Sequence, residues 1–280
     1  MQTKLAETAG FCFGVDRAVA LVEQAVREGK RVATLGPIIH NRHVIERFKT
    51  LGVREIAAPA EAAAGECVVI RSHGVSRAVM EALEKMGVEI VDATCPFVKK
   101  IHRIISAAAE NGQQPVIIGT RAHPEVQAIA GWCSAPLVFE SPEEFASWLA
   151  DDAKRTEIPI RMVCQTTSTQ NLWKKTCEIA KKECTNCEIF DTICKATEMR
   201  QKEATALAKQ CDAMVVVGDA RSSNTGRLAD ICRQYCKHVA LVDSAAELDM
   251  LLLSNAKTVG ITAGASTPAW IIKEVNNKMS

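Results

Sequence analysis

Aromatic residues make up only 4% of this 280-residue chain, a single tyrosine among them. Base-stacking platforms for nucleic acid therefore have few rings to be built from. Charge of neither sign dominates: 34 lysines and arginines stand against 33 acidic residues, for a formal net charge of +1. That balance gives no electrostatic reason to expect nucleic acid or an anionic membrane surface as partner. No apolar run approaches the ~20 residues that cross a bilayer, and residues 1–8 lack the apolar stretch of a signal peptide. The expectation is a cytoplasmic protein with no membrane and no nucleic-acid partner. Also missing are a G-x-G-x-x-G fingerprint, a Walker A loop, an H-E-x-x-H helix and a G-x-S-x-G elbow. Nicotinamide and ATP chemistry thus have no support in the sequence.

Cysteine, by contrast, is plentiful, with twelve residues. In a long chain with its own core and no export signal, reduced thiols fit better than a disulfide framework. Cys12, Cys95 and Cys194 stand out, roughly a third of the chain apart and in similar surroundings. Cys12 precedes an amphipathic helix pattern. Cys95 closes Val88-Glu-Ile-Val-Asp-Ala-Thr-Cys and is followed by Pro96, while Cys194 closes Ile189-Phe-Asp-Thr-Ile-Cys. Each stands beside a helix N-terminus, where thiolate is favoured over thiol. Three such thiolates from three similar units would make an iron–sulfur site with one iron lacking a protein ligand. Cys67, Cys164 and Cys211 open or sit in apolar strand-like runs and read as buried small hydrophobes. Cys184-Thr-Asn-Cys187 has no second pair and no histidine nearby, and Cys232 and Cys236 lie one helical turn apart. Both pairs read as packing or surface groups rather than zinc ligands.

Short apolar runs alternate with helix-period segments, the pattern of an α/β protein with largely parallel sheets. Strands are expected over 31–35, 67–70, 88–91, 116–118, 160–163, 213–217, 239–242 and 258–262. Helices are expected over 15–29, 42–51, 76–86, 97–111, 143–150, 170–184, 196–210, 225–235 and 268–278. The order of cysteine, helix, strand and polar loop recurs about every 90 residues, which suggests repeated units. This divides the chain into an N-terminal segment 1–12 bringing Cys12 to the centre and three small pseudo-equivalent α/β lobes, 13–96, 97–193 and 194–280, around a central iron–sulfur site.

In open α/β sheets ligands lie beyond the carboxyl ends of the strands. Five polar loops occupy such places: 35–43 with His40, 70–76 with His73, 118–125 with His123 and Glu125, 217–225 with Ser222, Ser223 and Asn224, and 263–268 with Ser266. Gln165-Thr166-Thr167 adds hydroxyls at another strand end. Any one of these is ordinary: a loop histidine is usually structural, and serines before helices are common caps. Together they offer imidazoles, hydroxyls, amides and helix N-termini, all suited to a phosphate-bearing ligand. Glu125 is the acid/base candidate among them, its bland reading being a favourable first-turn carboxylate. His102, within a helix pattern, His238, beside a strand, and His43, facing outward from a helix start, read as structural.

Taken together, Gly10-Phe-Cys-Phe-Gly-Val-Asp-Arg-Ala, Arg71-Ser-His-Gly-Val, Asp92-Ala-Thr-Cys-Pro-Phe-Val, His123-Pro-Glu, Gln165-Thr-Thr, Asp191-Thr-Ile-Cys, Arg221-Ser-Ser-Asn-Thr and Gly264-Ala-Ser-Thr-Pro resemble, in order and over the whole chain, the motifs of the 4-hydroxy-3-methylbut-2-enyl diphosphate reductases, the LytB family. Two places depart from the family's pattern: Gly218-Asp219 stands where Gly-Gly is more usual, and Ser168 where a bulkier apolar residue is common. The resemblance implies a three-lobed fold around a 4Fe–4S cluster held by Cys12, Cys95 and Cys194, the fourth iron being open to the substrate's leaving oxygen. It further implies that His40, His73, Ser222, Asn224 and Ser266 hold a diphosphate, with Ser223 beside them and His123 in the same shell. Glu125 would deliver protons, with Thr166 or its neighbour Thr167 in the relay. Two electrons and two protons would remove water, giving isopentenyl and dimethylallyl diphosphate in the last step of the methylerythritol phosphate route. Ferredoxin or flavodoxin would be the electron donor. A non-catalytic iron–sulfur sensor would use the same cysteines but needs neither Glu125 nor phosphate-binding loops. A zinc-stabilised phosphate-binding protein would be colourless.

Overall fold

A computed structural model describes residues 1–279. In chain order its elements are β1 (Gln2–Leu5), α1 (Phe13–Arg27), β2 (Arg31–Leu35), α2 (Arg42–Thr50), β3 (Arg54–Ile56), β4 (Glu66–Ile70), α3 (Arg77–Met86), β5 (Glu89–Asp92), α4 (Pro96–Glu110), β6 (Gln114–Ile118), α5 (Pro124–Ala130), β7 (Leu137–Phe139), α6 (Pro142–Ala150), β8 (Ile160–Cys164), α7 (Gln170–Glu183), β9 (Cys187–Ile189), α8 (Lys195–Ala208), β10 (Ala213–Val217), α9 (Ser223–Tyr235), β11 (His238–Val242), β12 (Thr258–Ala263) and α10 (Ala269–Met279). The chain divides into two compact units. Met1–Asp16, Ile39–Leu51 and the residues from Lys195 on form one; Arg17–Ile38 and Gly52–Cys194 form the other.

The strands form three four-stranded sheets, in the orders β3-β2-β4-β5, β7-β6-β8-β9 and β1-β12-β10-β11. Every strand pair is parallel. Three parallel-sheet α/β lobes, as the alternating pattern predicts, are therefore what the chain builds. Numbered from its own first strand, each of the first two sheets runs second, first, third, fourth. The third sheet repeats that order, with the N-terminal β1 taking the place of the fourth strand.

All eight strands expected from apolar runs are present, within two residues at either end. The strands the periodicity does not show are β1, β3, β7 and β9, and all four are sheet edges. The reason is physical. An inner strand such as β10 is buried at every position, so it reads as a continuous apolar run, each large side chain worth roughly 1.5–3 kcal/mol of burial. An edge of three or four residues has one open side and needs no such run: β3 is Arg-Glu-Ile, with only Ile56 buried. The third sheet carries apolar clusters on both faces. One includes Val215, Ile261, Ile271 and Val275; the other includes Met214, Val216, Leu228 and Cys232. Cys67 and Cys164 are buried in strands as expected, whereas Cys211 lies just before β10 and is only half-buried. His43 also differs from expectation: it is half-buried, its Nε2 3.5 Å from Asp243.

His102, in α4, stacks on Trp132 with ring centroids 5.1 Å apart, and its Nε2 is buried without a hydrogen-bond partner among the described residues. Burial pushes its pKa down from 6.5 to about 4. Neutral in the fold but free to charge when unfolded, it contributes stability that is complete above pH 6.5 and is lost as pH falls to about 4. The slope in that window is at most about 1.4 kcal/mol per pH unit. His102→Leu is expected to flatten the melting temperature between those pH values; an unchanged slope would mean the imidazole charges freely in the folded protein.

Candidate active site

The three lobes place their polar loops by one repeated construction. A glycine follows the first strand of each: Gly36 after β2, Gly119 after β6 and Gly218 after β10. Its N–H donates to the last residue of the neighbouring second strand, Ile56, Phe139 or Val242, at 2.8–3.0 Å. Gly218 sits at φ +143°, where its missing Cβ would meet Thr267 Oγ1 at 2.5 Å. Glycine is thus dictated by backbone and by space. Five residues beyond each first strand stand His40, His123 and Ser222. The last two cap α5 and α9, while Asn41 caps α2.

The second repeated feature concerns the cysteines. Each of Cys12, Cys95 and Cys194 follows the fourth strand of a sheet (β1, β5 and β9) and immediately precedes a helix, α1, α4 or α8. Each backbone N–H donates to a carbonyl in the loop after the third strand of the same sheet. Cys12 N reaches Ala265 O at 3.1 Å, Cys95 N reaches Ser72 O at 3.0 Å and Cys194 N reaches Thr166 O at 3.0 Å. Those acceptors lie at equivalent positions, two residues past β12, β4 and β8. The residues that follow them are Ser266, His73 and Thr167.

In the unit containing Gly52–Cys194, Glu125 lies in the first turn of α5 and is 2% exposed. Thr166 N–H donates to its Oε1 and the Thr166 hydroxyl to its Oε2, both at 2.6 Å. Burial raises the Glu125 pKa, and the two Thr166 bonds oppose the rise without cancelling it. The balance favours a carboxyl that keeps its proton further toward neutral pH than an exposed glutamate, as a proton donor must. Through its carbonyl the same Thr166 holds the amide of Cys194. One residue therefore fixes both the acid and a cysteine. His123 Nδ1 accepts from Glu125 N at 3.1 Å, which leaves the proton of a neutral ring on Nε2, and its ring lies edge-on to His73 at 5.6 Å. Gln165 braces the loop: its Oε1 accepts from Thr120 N at 3.0 Å and its Nε2 donates to Thr167 Oγ1 at 2.8 Å.

In the other unit, Ser266 Oγ donates to His40 O at 3.0 Å. Asn224, in the first turn of α9, is 4% exposed. Neither its Oδ1 nor its Nδ2 has a hydrogen-bond partner among the described residues. A buried amide left with both atoms unsatisfied is costly, and a polar ligand at the helix N-terminus would relieve the cost. Thr8, Gly10 and Cys12 lie on a segment anchored by α8. Glu203 accepts from Glu7 N, Thr8 N and Thr8 Oγ1, and Arg200 Nη2 donates to Gly10 O at 2.7 Å. Sequence reading passed over Arg200 and Glu203 and gave Gln165 no role beyond its motif, because a polar residue in a helix or loop announces no partner until the fold supplies one.

The match to the family model described as LytB protein runs over residues 3–280. The chain belongs to the LytB family. Among the relatives of this LytB chain, the 4-hydroxy-3-methylbut-2-enyl diphosphate reductase of Caldanaerobacter subterraneus subsp. tengcongensis is 40% identical over 283 aligned residues, covering 100% of this chain and 96% of the relative. That of Citrifermentans bemidjiense is 39% identical over 100% of this chain and 97% of its own. A solved structure of (E)-4-hydroxy-3-methyl-but-2-enyl diphosphate reductase, described as the terminal enzyme of the non-mevalonate pathway, superposes with TM-score 0.72 at 36% identity, covering 100% of this chain and 99% of its own. The Plasmodium falciparum reductase, 24% identical with TM-score 0.91 over 99% of this chain and 87% of its own, shares the fold.

The donor chemistry of the LytB chain suits an iron–sulfur group. Cys12, Cys95 and Cys194 are partly exposed and each directly precedes a helix, and thiolate sulfur is the ligand such groups require. Among the other thiols, Cys232 is buried and Cys133, Cys177 and Cys187 are half-buried; burial pushes Cys133 and Cys177 up to about 11 and Cys187 and Cys232 up to about 12. Cys184 and Cys187 pack against the apolar cluster around Phe145 and Met162. No disulfide occurs among the described residues.

Proposed function

We propose that this protein is an oxidoreductase that converts (E)-4-hydroxy-3-methylbut-2-enyl diphosphate, with two electrons and two protons, to isopentenyl and dimethylallyl diphosphate and water. The observation that carries the reading is the link Glu125–Thr166–Cys194, a buried acid fixed by the residue that also holds a cysteine of the donor set. Cys12, Cys95 and Cys194 would hold a 4Fe–4S cluster among the lobes 13–96, 97–193 and 194–280: segment 1–12 delivers Cys12, Cys95 stands at the end of the first lobe and Cys194 at the start of the third. When bound, that group supplies electrons and a Lewis-acidic iron for the leaving oxygen.

The chain's own residues do the rest. His40, His73, Ser222, Ser223, Asn224 and Ser266 bind the diphosphate, the Asn224 amide gaining the partners it lacks. His123, with its proton on Nε2, orients the substrate beside Glu125. Glu125 gives up a proton from a site that excludes bulk water, and the hydroxyl of Thr166, or of its neighbour Thr167, carries its replacement. A reduced low-potential carrier of the ferredoxin or flavodoxin class supplies the electrons, and the reaction runs in the cytoplasm.

Thr166→Val tests the relay. Losing the hydroxyl removes one of the two bonds that favour the Glu125 carboxylate, so the acid stays protonated to higher pH. Turnover is expected to fall by about ten- to a hundredfold, with the alkaline limb of kcat/KM displaced upward. A limb that stays in place would detach Thr166 from the acid.

A further inference from the structure

From the backbone and side-chain contacts of Asp219, we infer that this residue positions the two loops carrying His40 and Ser222–Asn224, and so sets the affinity for the substrate's diphosphate. The inference deepens the functional reading above and rests on it.

Asp219 directly follows Gly218 and is 5% exposed. Its Oδ1 accepts from Arg221 N at 2.9 Å and Arg221 Nε at 3.0 Å; its Oδ2 accepts from Arg221 Nη2 at 2.7 Å and from Arg42 N at 3.1 Å. Its carbonyl accepts from Ser222 N at 3.0 Å. One carboxylate thus ties the first N–H of α2, two residues after His40, to the residue before Ser222. A cavity of about 450 Å³ lies over this junction, lined by Arg42, Asp219, Arg221, Asp243 and Glu247 among others. Arg42 turns its guanidinium to Asp243 and Glu247, so both arginines are already matched by carboxylates.

The other lobes show why a side chain is needed there. In the lobe of β6–β9 the loop after the first strand is braced from the loop after the third, by Gln165 on Thr120 N. In the lobe of β2–β5 the residue equivalent to Gln165 is Arg71, whose guanidinium lies against Gly36. In the third lobe that position is Gly264, and it admits nothing larger, since a Cβ there would meet Thr225 Oγ1 at 2.0 Å. The brace must come from the first-strand loop itself, and Asp219 supplies it. The cost is a negative charge near a polyanion's site, offset by Arg221, whose hydrogen bonds and charge hold the carboxyl down at about 2 against burial that works to raise it. The carboxylate therefore stays ionised at every working pH.

The test uses anaerobically prepared holoprotein, wild type, Asp219→Ala and Asp219→Asn, with inorganic diphosphate as the calorimetric probe alongside steady-state turnover and amide hydrogen exchange. Asp219→Ala is expected to weaken inorganic diphosphate and raise the substrate KM by about tenfold, the loss of a charge-assisted tie, with kcat within about twofold. The amides of Arg42 and Arg221 should exchange faster. Asp219→Asn, which keeps one oxygen as acceptor, should fall between. Unchanged affinity with faster exchange would overturn the proposal, because the tie would then hold loops that the ligand does not need held. Tighter binding would overturn it too, showing that the carboxylate acts by charge repulsion and not by placement. Wild-type holoprotein that ignores inorganic diphosphate would sink the functional reading itself, an outcome separate from equal binding by wild type and variant.

Discussion

Glu125→Gln is expected to lower turnover by about 10²–10⁴-fold while iron content, colour and substrate affinity stay near wild type. The substitution is nearly isosteric. The amide oxygen still accepts from Thr166 N, and the Thr166 hydroxyl can rotate to accept from the new NH₂, so both bonds at this buried position keep partners. The charge that burial disfavours is removed as well, so the fold has no reason to weaken. What disappears is the transferable proton. Turnover within a few-fold of wild type would take Glu125 out of the proton path and leave the Thr166 link without chemical purpose.

Cys95→Ser is expected to abolish turnover and strip most of the bound iron, yet leave the melting temperature of the cluster-free protein unchanged or slightly raised. Cys95 is the N-cap of α4, with Pro96 in the first helical position and no side-chain capping bond. Serine is a preferred residue at that position, so the local structure is served better by the variant than by the native residue. A cysteine in a place where serine would cap better points to a thiolate ligand and not to packing. Cys184→Ser is the control. Cys184 packs against an apolar cluster and burial raises its pKa, so its loss should change stability modestly and iron content not at all. Equal iron in Cys95→Ser and wild type would contradict the ligand set.

The fold was legible wherever burial writes itself into sequence. Inner parallel strands such as β10 and β12 are apolar on both faces and stand out as runs. The short edge strands β1, β3, β7 and β9 do not, since one neighbour is enough to hold them. That omission hid the closest equivalence in the chain. Cys95 visibly follows a strand, but Cys194 and Cys12 do too: Cys194 comes after the edge strand β9, and Cys12 after β1, which pairs with β12 from the far end of the sequence. The chemistry-bearing residues proposed for the site could be named from sequence because they lie near strand ends, where an α/β sheet binds ligands. Its supports could not. Thr166 was expected in a hydroxyl relay, but its backbone bond to Cys194 depends on β8 and the segment after β9 meeting. Asp219 showed in sequence only as a departure from a glycine pair, and its role emerges once Gly264 is seen to have no room for a side chain.

The account's central claim, that three cysteines and a buried glutamate serve one reductive step, is tested most directly by a single preparation. Protein purified without oxygen is assayed for iron and sulfide, then given (E)-4-hydroxy-3-methylbut-2-enyl diphosphate and a reduced low-potential donor. A brown protein with about four irons per chain, as three cysteines plus one open iron require, that releases both isopentenyl and dimethylallyl diphosphate is the predicted result. A brown protein that leaves the diphosphate untouched would point to a sensor and contradict the account, and a colourless protein holding zinc would contradict the cysteine assignment at its root.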